Sequence, residues 1–355
     1  MKIFTCPACQ QTLYFDNFQC TNCGHELAYL PGPGLLTAVE PVAGAPAGTV
    51  VARGERHRLC GNRLDHQACN WAIPDGDNNR FCRSCRLNDV IPNLSDAKAR
   101  EAWLGLERAK RWLLYSLFDL GLPVESGADR SDGKLAFSFK QDEPGMEKVF
   151  TGHSDGLITI NIAEADTPFR EKLKQRLGEG YRTLLGHFRH EIGHYYWDRL
   201  VKNSRWSAPF RERFGDPDVD YQDAVQRHYS EGAPADWHSR FVSAYASMHP
   251  WEDWAETWAH YLHMVDTLET ARSFGLVLRP KPLGGSEVPE VVTRRLDFAD
   301  FGDLMDAWVP LTLALNSLNR SMGLPDPYPF VVPDPAIQKL RFVHDVIASA
   351  RRAGR

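Results

Sequence analysis

All eight cysteines of this 355-residue chain lie between Cys6 and Cys85, and none follows. That crowding confines what the first quarter can become. Cys6-Pro7-Ala8-Cys9 and Cys20-Thr21-Asn22-Cys23 are two C-x-x-C pairs flanking the strand-like run Thr12-Leu13-Tyr14-Phe15. Two knuckles joined by a hairpin form a zinc ribbon. Four thiolates complete a tetrahedral Zn²⁺ site and leave no position open for catalysis, so this metal is structural. Gly24 suits the tight turn that aims backbone N–H groups at sulfur. A second group follows as Cys60, Cys69 and the knuckle Cys82-Arg83-Ser84-Cys85. Its reading is a second structural zinc, with His57 or His66 as replacement ligands, or else one knuckle beside two buried free cysteines. Disulfides of a secreted protein would more often be spread through the fold.

The pattern divides the chain into a zinc ribbon at 1–30, a Pro/Gly/Ala-rich linker at 31–52, a second ribbon-like module at 53–92 and a large domain at 95–355. In the large domain, Ser95-Asp96 caps a helix running to about Leu120, with Trp103, Leu106, Leu113, Leu114 and Leu117 at helical spacing. Strand-like runs follow at Lys134–Lys140, Lys148–Thr151 and Leu157–Ile162, with a turn at Asp155-Gly156. A helical region starts at Asp166-Thr167-Pro168, another helix spans about 179–200, a helical run lies near Asp220–Tyr229, and helices dominate from 295 with a break at Pro325–Pro329. The class is α+β, mostly helical with a small sheet.

Lys and Arg number 41 against 46 Asp and Glu, a net charge of −5. That balance argues against a general nucleic-acid binder or a binder of anionic membranes. The N-terminus reaches Cys6 without an apolar signal core, and no apolar run is long enough to span a bilayer. The expectation is a cytoplasmic protein without a membrane partner.

His190-Glu191-Ile192-Gly193-His194 reads H-E-x-x-H. On a helix the two histidines share one face and can offer nitrogens to one metal, while Glu191 can take a proton from metal-bound water. A catalytic zinc usually takes a third protein ligand. Trp197 and Leu200 stand where a metzincin carries Gly and His, which excludes that class. Asp198, four residues after His194, is one candidate. The segment Pro250–His263 offers a better one. On a helix it places Glu252, Glu256, His260 and His263 along one stripe and Trp251, Trp254, Trp258 and Tyr261 nearly opposite. The aromatic stripe reads as core. His260 and His263 read as structural or as an extension of the site toward substrate, and His187 as either a supporting histidine or one at the surface or core edge.

Here the chain resembles the gluzincin metallopeptidases. Glu252 and Glu256 match the family's ligand Glu on a second helix and the acid four residues later that supports a histidine ligand. Val242-Ser243-Ala244-Tyr245-Ala246 resembles the segment of lethal-factor-type gluzincins, in which a tyrosine seven residues before the ligand faces the zinc; Tyr245 holds that place. Over nearly its full length the chain is similar to a bacterial zinc-binding metallopeptidase family with N-terminal zinc ribbons, on Gly186–Asp198, on 250–263 and on the ribbons. One departure is His249, where related segments often carry Asn before the Pro.

The resemblance implies a zincin-like domain at 95–355 acting on a peptide or protein substrate. It implies one catalytic Zn²⁺ on His190, His194 and Glu252, and up to two structural Zn²⁺ on the cysteines. It implies that Glu191 is the general base, that Tyr245 stabilises the oxyanion and that Glu256 fixes a ligand imidazole. Two other classes compete. One is a non-catalytic adaptor that binds a protein partner through its ribbons. The other is a zinc hydrolase of a non-peptide amide. Glu191 argues against the adaptor, since a structural site needs no base. Gly193 inside the motif helix costs about 1 kcal/mol relative to Ala, which close approach of another backbone, the metal or neutral packing would explain.

Overall fold

The computed structural model describes residues 2–124, 133–166, 183–281 and 290–353. They belong to two compact units, Lys2–Arg170 and Glu171–Arg355.

In the first unit β1 (Phe4–Thr5) and β2 (Thr12–Leu13) pair antiparallel, as do β3 (Leu27–Leu30) and β4 (Leu35–Ala38). A second sheet runs β5 (Glu40–Pro41), β6 (Thr49–Ala52), β7 (Glu55–Leu59) and β8 (Ala72–Pro74), antiparallel throughout. The expected linker at 31–52 therefore carries three strands, β4, β5 and β6. Its Pro and Gly residues punctuate hairpins: Gly34 and Gly48 sit at φ 62° and 82°, conformations in which a side chain is strained. Beside those turns Val39, Val50 and Ala52 pack with Ala28, Leu30, Leu59 and Ala72 in one apolar cluster.

α1 (Gly61–His66) precedes α2 (Ala97–Asp119), whose cap is Asp96: its carboxylate accepts from the Lys98 and Ala99 amides. The five apolar residues expected on its inner face are all fully buried. Within the same unit Arg108 pairs with Asp16 at 2.9 Å and Tyr115 packs on Phe15 at 5.1 Å, so α2 is stitched to the ribbon. β9 (Asn88–Val90), β10 (Ala136–Lys140), β11 (Gly152–Ser154) and β12 (Leu157–Asn161) form a sheet in the order β11-β12-β10-β9, parallel except for β11. The strand expected at Lys148–Thr151 is displaced to Gly152–Ser154. Asp155 and Gly156 both have positive φ, at 47° and 81°, so the two-residue turn makes its immediate neighbours pair. Phe150 is left 80% exposed.

The second unit is helical. It comprises α3 (Leu184–Tyr196), α4 (Ser207–Phe214), α5 (Tyr221–Glu231), α6 (Pro250–Phe274), α7 (Phe301–Ser321), α8 (Asp334–Ala353) and a short hairpin of β13 (Val277–Leu278) and β14 (Val291–Val292). The helical region expected from Asp166-Thr167-Pro168, and the first residues of the helix expected at 179–200, fall largely on 167–182, outside the described residues. With 46% helix and small sheets, the chain has the expected α+β class.

α6 is the axis of this unit. Trp254, Trp258 and Tyr261 are buried as expected, and Trp258 stacks on Tyr196 at 5.0 Å. The opposite stripe is buried too: Glu252, His260 and His263 are no more than 6% exposed. α3 crosses α6 at Gly193. A Cβ there would lie 3.0 Å from the Ala255 backbone and 3.2 Å from Trp258, and the Gly193 carbonyl accepts from Trp254 Nε1 at 2.8 Å. The glycine is thus explained by close backbone approach. Asp253, on the same helix, is clamped to Lys339 of α8 at 2.6 Å, both side chains being buried.

Candidate metal and catalytic centre

α3 starts at Thr183, whose hydroxyl accepts from the Gly186 amide. About two turns in, the helix aims His190 and His194 at the same point. α6 starts at His249, whose Nδ1 accepts from the Trp251 amide at 3.0 Å. His249 thus performs the capping that an Asn would supply there, and the departure leaves the helix start intact. The entry turn brings Glu252 between the histidines: its Oε2 lies 2.9 Å from His190 Nε2 and 3.5 Å from His194 Nε2, and the two nitrogens are 3.2 Å apart. Two donors each about 2.0–2.1 Å from a tetrahedral ion lie roughly 3.3 Å apart, so the trio fits zinc. Glu252 Oε2 is buried and takes part in no hydrogen bond among the described residues, as expected of an oxygen that faces a cation. Asp198, the alternative third ligand, lies outside this cluster and faces Lys202 at 3.5 Å.

Around the trio, His190 Nδ1 meets Glu256 Oε1 at 2.8 Å, and Ser243 donates to Glu256 Oε2 at 2.7 Å. Glu256 thus lies between His190 and Ser243. The Tyr245 ring lies 6.0 Å from the His190 ring, and Trp251 packs against His194 at 3.7 Å with the rings tilted by 37°. His187 Nε2 is 3.1 Å from Glu191 Oε1, one turn along α3. Burial works to raise the Glu191 pKa, but His187 and the two site histidines bring it below the ordinary value, leaving a carboxylate. Burial works to lower His190, but Glu252 and Glu256 raise it well above the imidazole range. The pair that favours a proton on that ring favours a dication in its place.

The cysteines form two further clusters. Cys6 and Cys23 sulfurs are 3.7 Å apart, Cys9 and Cys20 3.6 Å, and Cys69 and Cys82 3.6 Å, close to the roughly 3.8 Å expected for thiolates on tetrahedral zinc. Cys60 and Cys85 complete the second four-sulfur group, while His57 turns to the Glu55 carbonyl and His66 packs on Trp103.

Residues 99–346 match the family described as "Putative zinc-binding metallo-peptidase", and residues 3–96 match a zinc-ribbon domain. The chain belongs to that metallo-peptidase family. Uncharacterized proteins of Mycobacterium tuberculosis and Mycobacterium bovis are each 41% identical over 351 residues, covering 98% of this chain and 95% of theirs. No solved structure matches. No helix among the described residues is long and apolar enough to cross a membrane.

Two contributors in this family member escaped sequence reasoning. Tyr221 donates to Glu252 Oε1 at 2.8 Å, and Ser243 braces Glu256. Tyr221 stands 31 positions from its partner, a separation that no periodicity marks. His187 was foreshadowed by its i,i+4 spacing to Glu191. His260 and His263 bond away from the trio, to Tyr328 at 2.6 Å and to Arg189.

His260 also sets a pH dependence. Burial, opposed by nearby Glu256, lowers its pKa to about 4. Between about pH 6.5, where an unfolded imidazole titrates, and pH 4, the unfolded chain takes up a proton that the folded chain refuses. Folding stability is therefore lost as pH falls through that window, by about 3 kcal/mol from this group. Denaturant unfolding at pH 7 and pH 4.5 measures the loss. His260→Gln should shrink it, and an undiminished loss in that variant would refute the assignment.

Proposed function

We propose that this chain is a zinc-dependent peptide hydrolase of gluzincin type. The observation that carries the reading is the pairing of a bare, buried Glu252 oxygen and two imidazole nitrogens with a charged Glu191 on the adjacent turn. Bound by His190, His194 and Glu252, zinc would supply Lewis acidity toward a water and a peptide carbonyl.

Glu191 accepts the proton of the attacking water. Its Oε2 is buried and free of hydrogen bonds, while His187 holds Oε1. The same carboxyl then returns the proton to the leaving amine. Glu256, fixed by Ser243, keeps the proton of His190 on Nδ1 and so presents Nε2 as a donor lone pair. Tyr245 offers its hydroxyl to the oxyanion that develops on the carbonyl.

Glu191→Gln is the test. It preserves shape and hydrogen bonding but removes the base, so hydrolysis of a mixed peptide library should fall at least about 100-fold with zinc content unchanged. Equal rates for both proteins would eliminate the mechanism. Library peptides left intact by both, beside turnover of simple amides, would favour a non-peptide amide as substrate.

A further inference from the structure

We propose that Tyr221 is a positioning residue for the metal, bracing Glu252 so that one carboxylate oxygen is reserved for the ion. The inference rests on the metal site proposed above and adds a residue that the family motif does not contain.

A carboxylate can meet zinc through either oxygen or both, and a free rotor samples all three arrangements. In this chain the choice is made beforehand. The Tyr221 hydroxyl donates to Oε1, while Oε2 faces both imidazoles with no hydrogen bond of its own. A carboxylate oxygen accepts and a phenol hydroxyl carries the proton to give, so Tyr221 is the donor of this pair.

The ring is aimed by the residues that begin α6. Tyr221 packs edge-on against His249 at 5.3 Å and Trp251 at 6.0 Å. The cap that starts the ligand-bearing helix therefore also orients the phenol that braces its ligand. α5 itself is lightly anchored. Ala224 is its one buried side chain, and Gly215 and Gly232 flank it at φ 102° and 79°. A second ring contact, His228 against Tyr245 at 5.9 Å, lies toward its other end.

Loss of a group that orients a metal ligand typically costs 10–100-fold in affinity. The test titrates Zn²⁺ into the full chain against a competing chelator, at strengths that leave thiolate-held zinc in place. Tyr221→Phe keeps the ring contacts and removes only the hydroxyl. Its removable zinc should bind 10–100-fold more weakly, while the unfolding midpoint of protein stripped of that zinc stays unchanged. His228→Ala, which loosens the same helix without touching Glu252, and Tyr245→Phe should both bind zinc as the native chain does. Native affinity in Tyr221→Phe, or an equal loss in His228→Ala, overturns the proposal. So does a Tyr221→Phe protein that binds zinc normally but turns over peptide slowly when zinc-saturated, since the hydroxyl would then act on substrate. Because affinity is read directly, absence of peptidase activity in the native chain would refute the proposed function and leave this result standing.

Discussion

Cys69→Ser is expected to unfold the Lys2–Arg170 unit and to remove one zinc from the chain. All four sulfurs of its group are at most 3% exposed, and they come from the end of β7, the loop before β8 and the knuckle before β9. Buried thiolates without a cation would repel each other, and buried thiols would leave these loops with little to join them. Structural zinc in small modules contributes about 10–16 kcal/mol, which matches or exceeds the 5–15 kcal/mol net stability of an ordinary domain. The neighbourhood raises the stake: Glu107, fully buried with Lys110 at 2.9 Å, lies 3.9 Å from Cys85, so losing the knuckle disturbs a buried ion pair as well. Cys23 is exposed, and Cys23→Ser should cost less and act locally. Limited proteolysis with metal analysis distinguishes the two. A Cys69→Ser chain as resistant as the native one would end the idea that this zinc holds the unit together.

Lys339→Met should destabilise the second unit by about 3–5 kcal/mol, the usual cost of breaking a buried ion pair from one side. Its ammonium meets Asp253 at 2.6 Å, donates to the Arg240 carbonyl and lies 4.2 Å from the centre of the Phe241 ring. Burial pushes Asp253 up to about 7 even with Lys339 pulling against it, so the carboxyl is already poorly solvated. Pairing Lys339→Met with Asp253→Leu should restore most of the loss, because an apolar pair of similar volume suits that interior. Denaturant midpoints for the two single variants and the double variant decide the matter. A single variant within 1 kcal/mol of native would show the pair to be incidental.

The fold was legible where chemistry repeats at short range. The C-x-x-C knuckles, the Asp96 cap and the alternation in Leu157–Ile162 each announce their own local structure. Composition misled at 31–52, because Pro and Gly mark both linkers and hairpin turns, and only the buried Val39 and Val50 between them tell the two apart. The strand at 148–151 was misplaced because the turn, not the apolar run, sets hairpin register. In the site, His190, Glu191 and His194 follow from spacing within one helix, and Glu256 from spacing within another. That the helices meet is a fact of tertiary packing, expected beforehand from the family resemblance and hinted at by the glycine at position 193. Tyr221 had no such trace, since its role depends on where a separate helix comes to rest.

The contact at Gly193 has one more effect. Because even a Cβ on Gly193 would lie 3.0 Å from the Ala255 backbone, α3 and α6 cannot drift apart or close further without repacking Trp254 and Trp258. The distance from His190 and His194 to Glu252 is therefore set by the girders rather than by the ion between them. Such a frame acts as a gauge. It would admit ions that accept short bonds to nitrogen and oxygen in a four-cornered shell and would disfavour Ca²⁺, which wants six to eight oxygens at 2.3–2.6 Å. On the proposed reading, a missing side chain would do the sorting of metals.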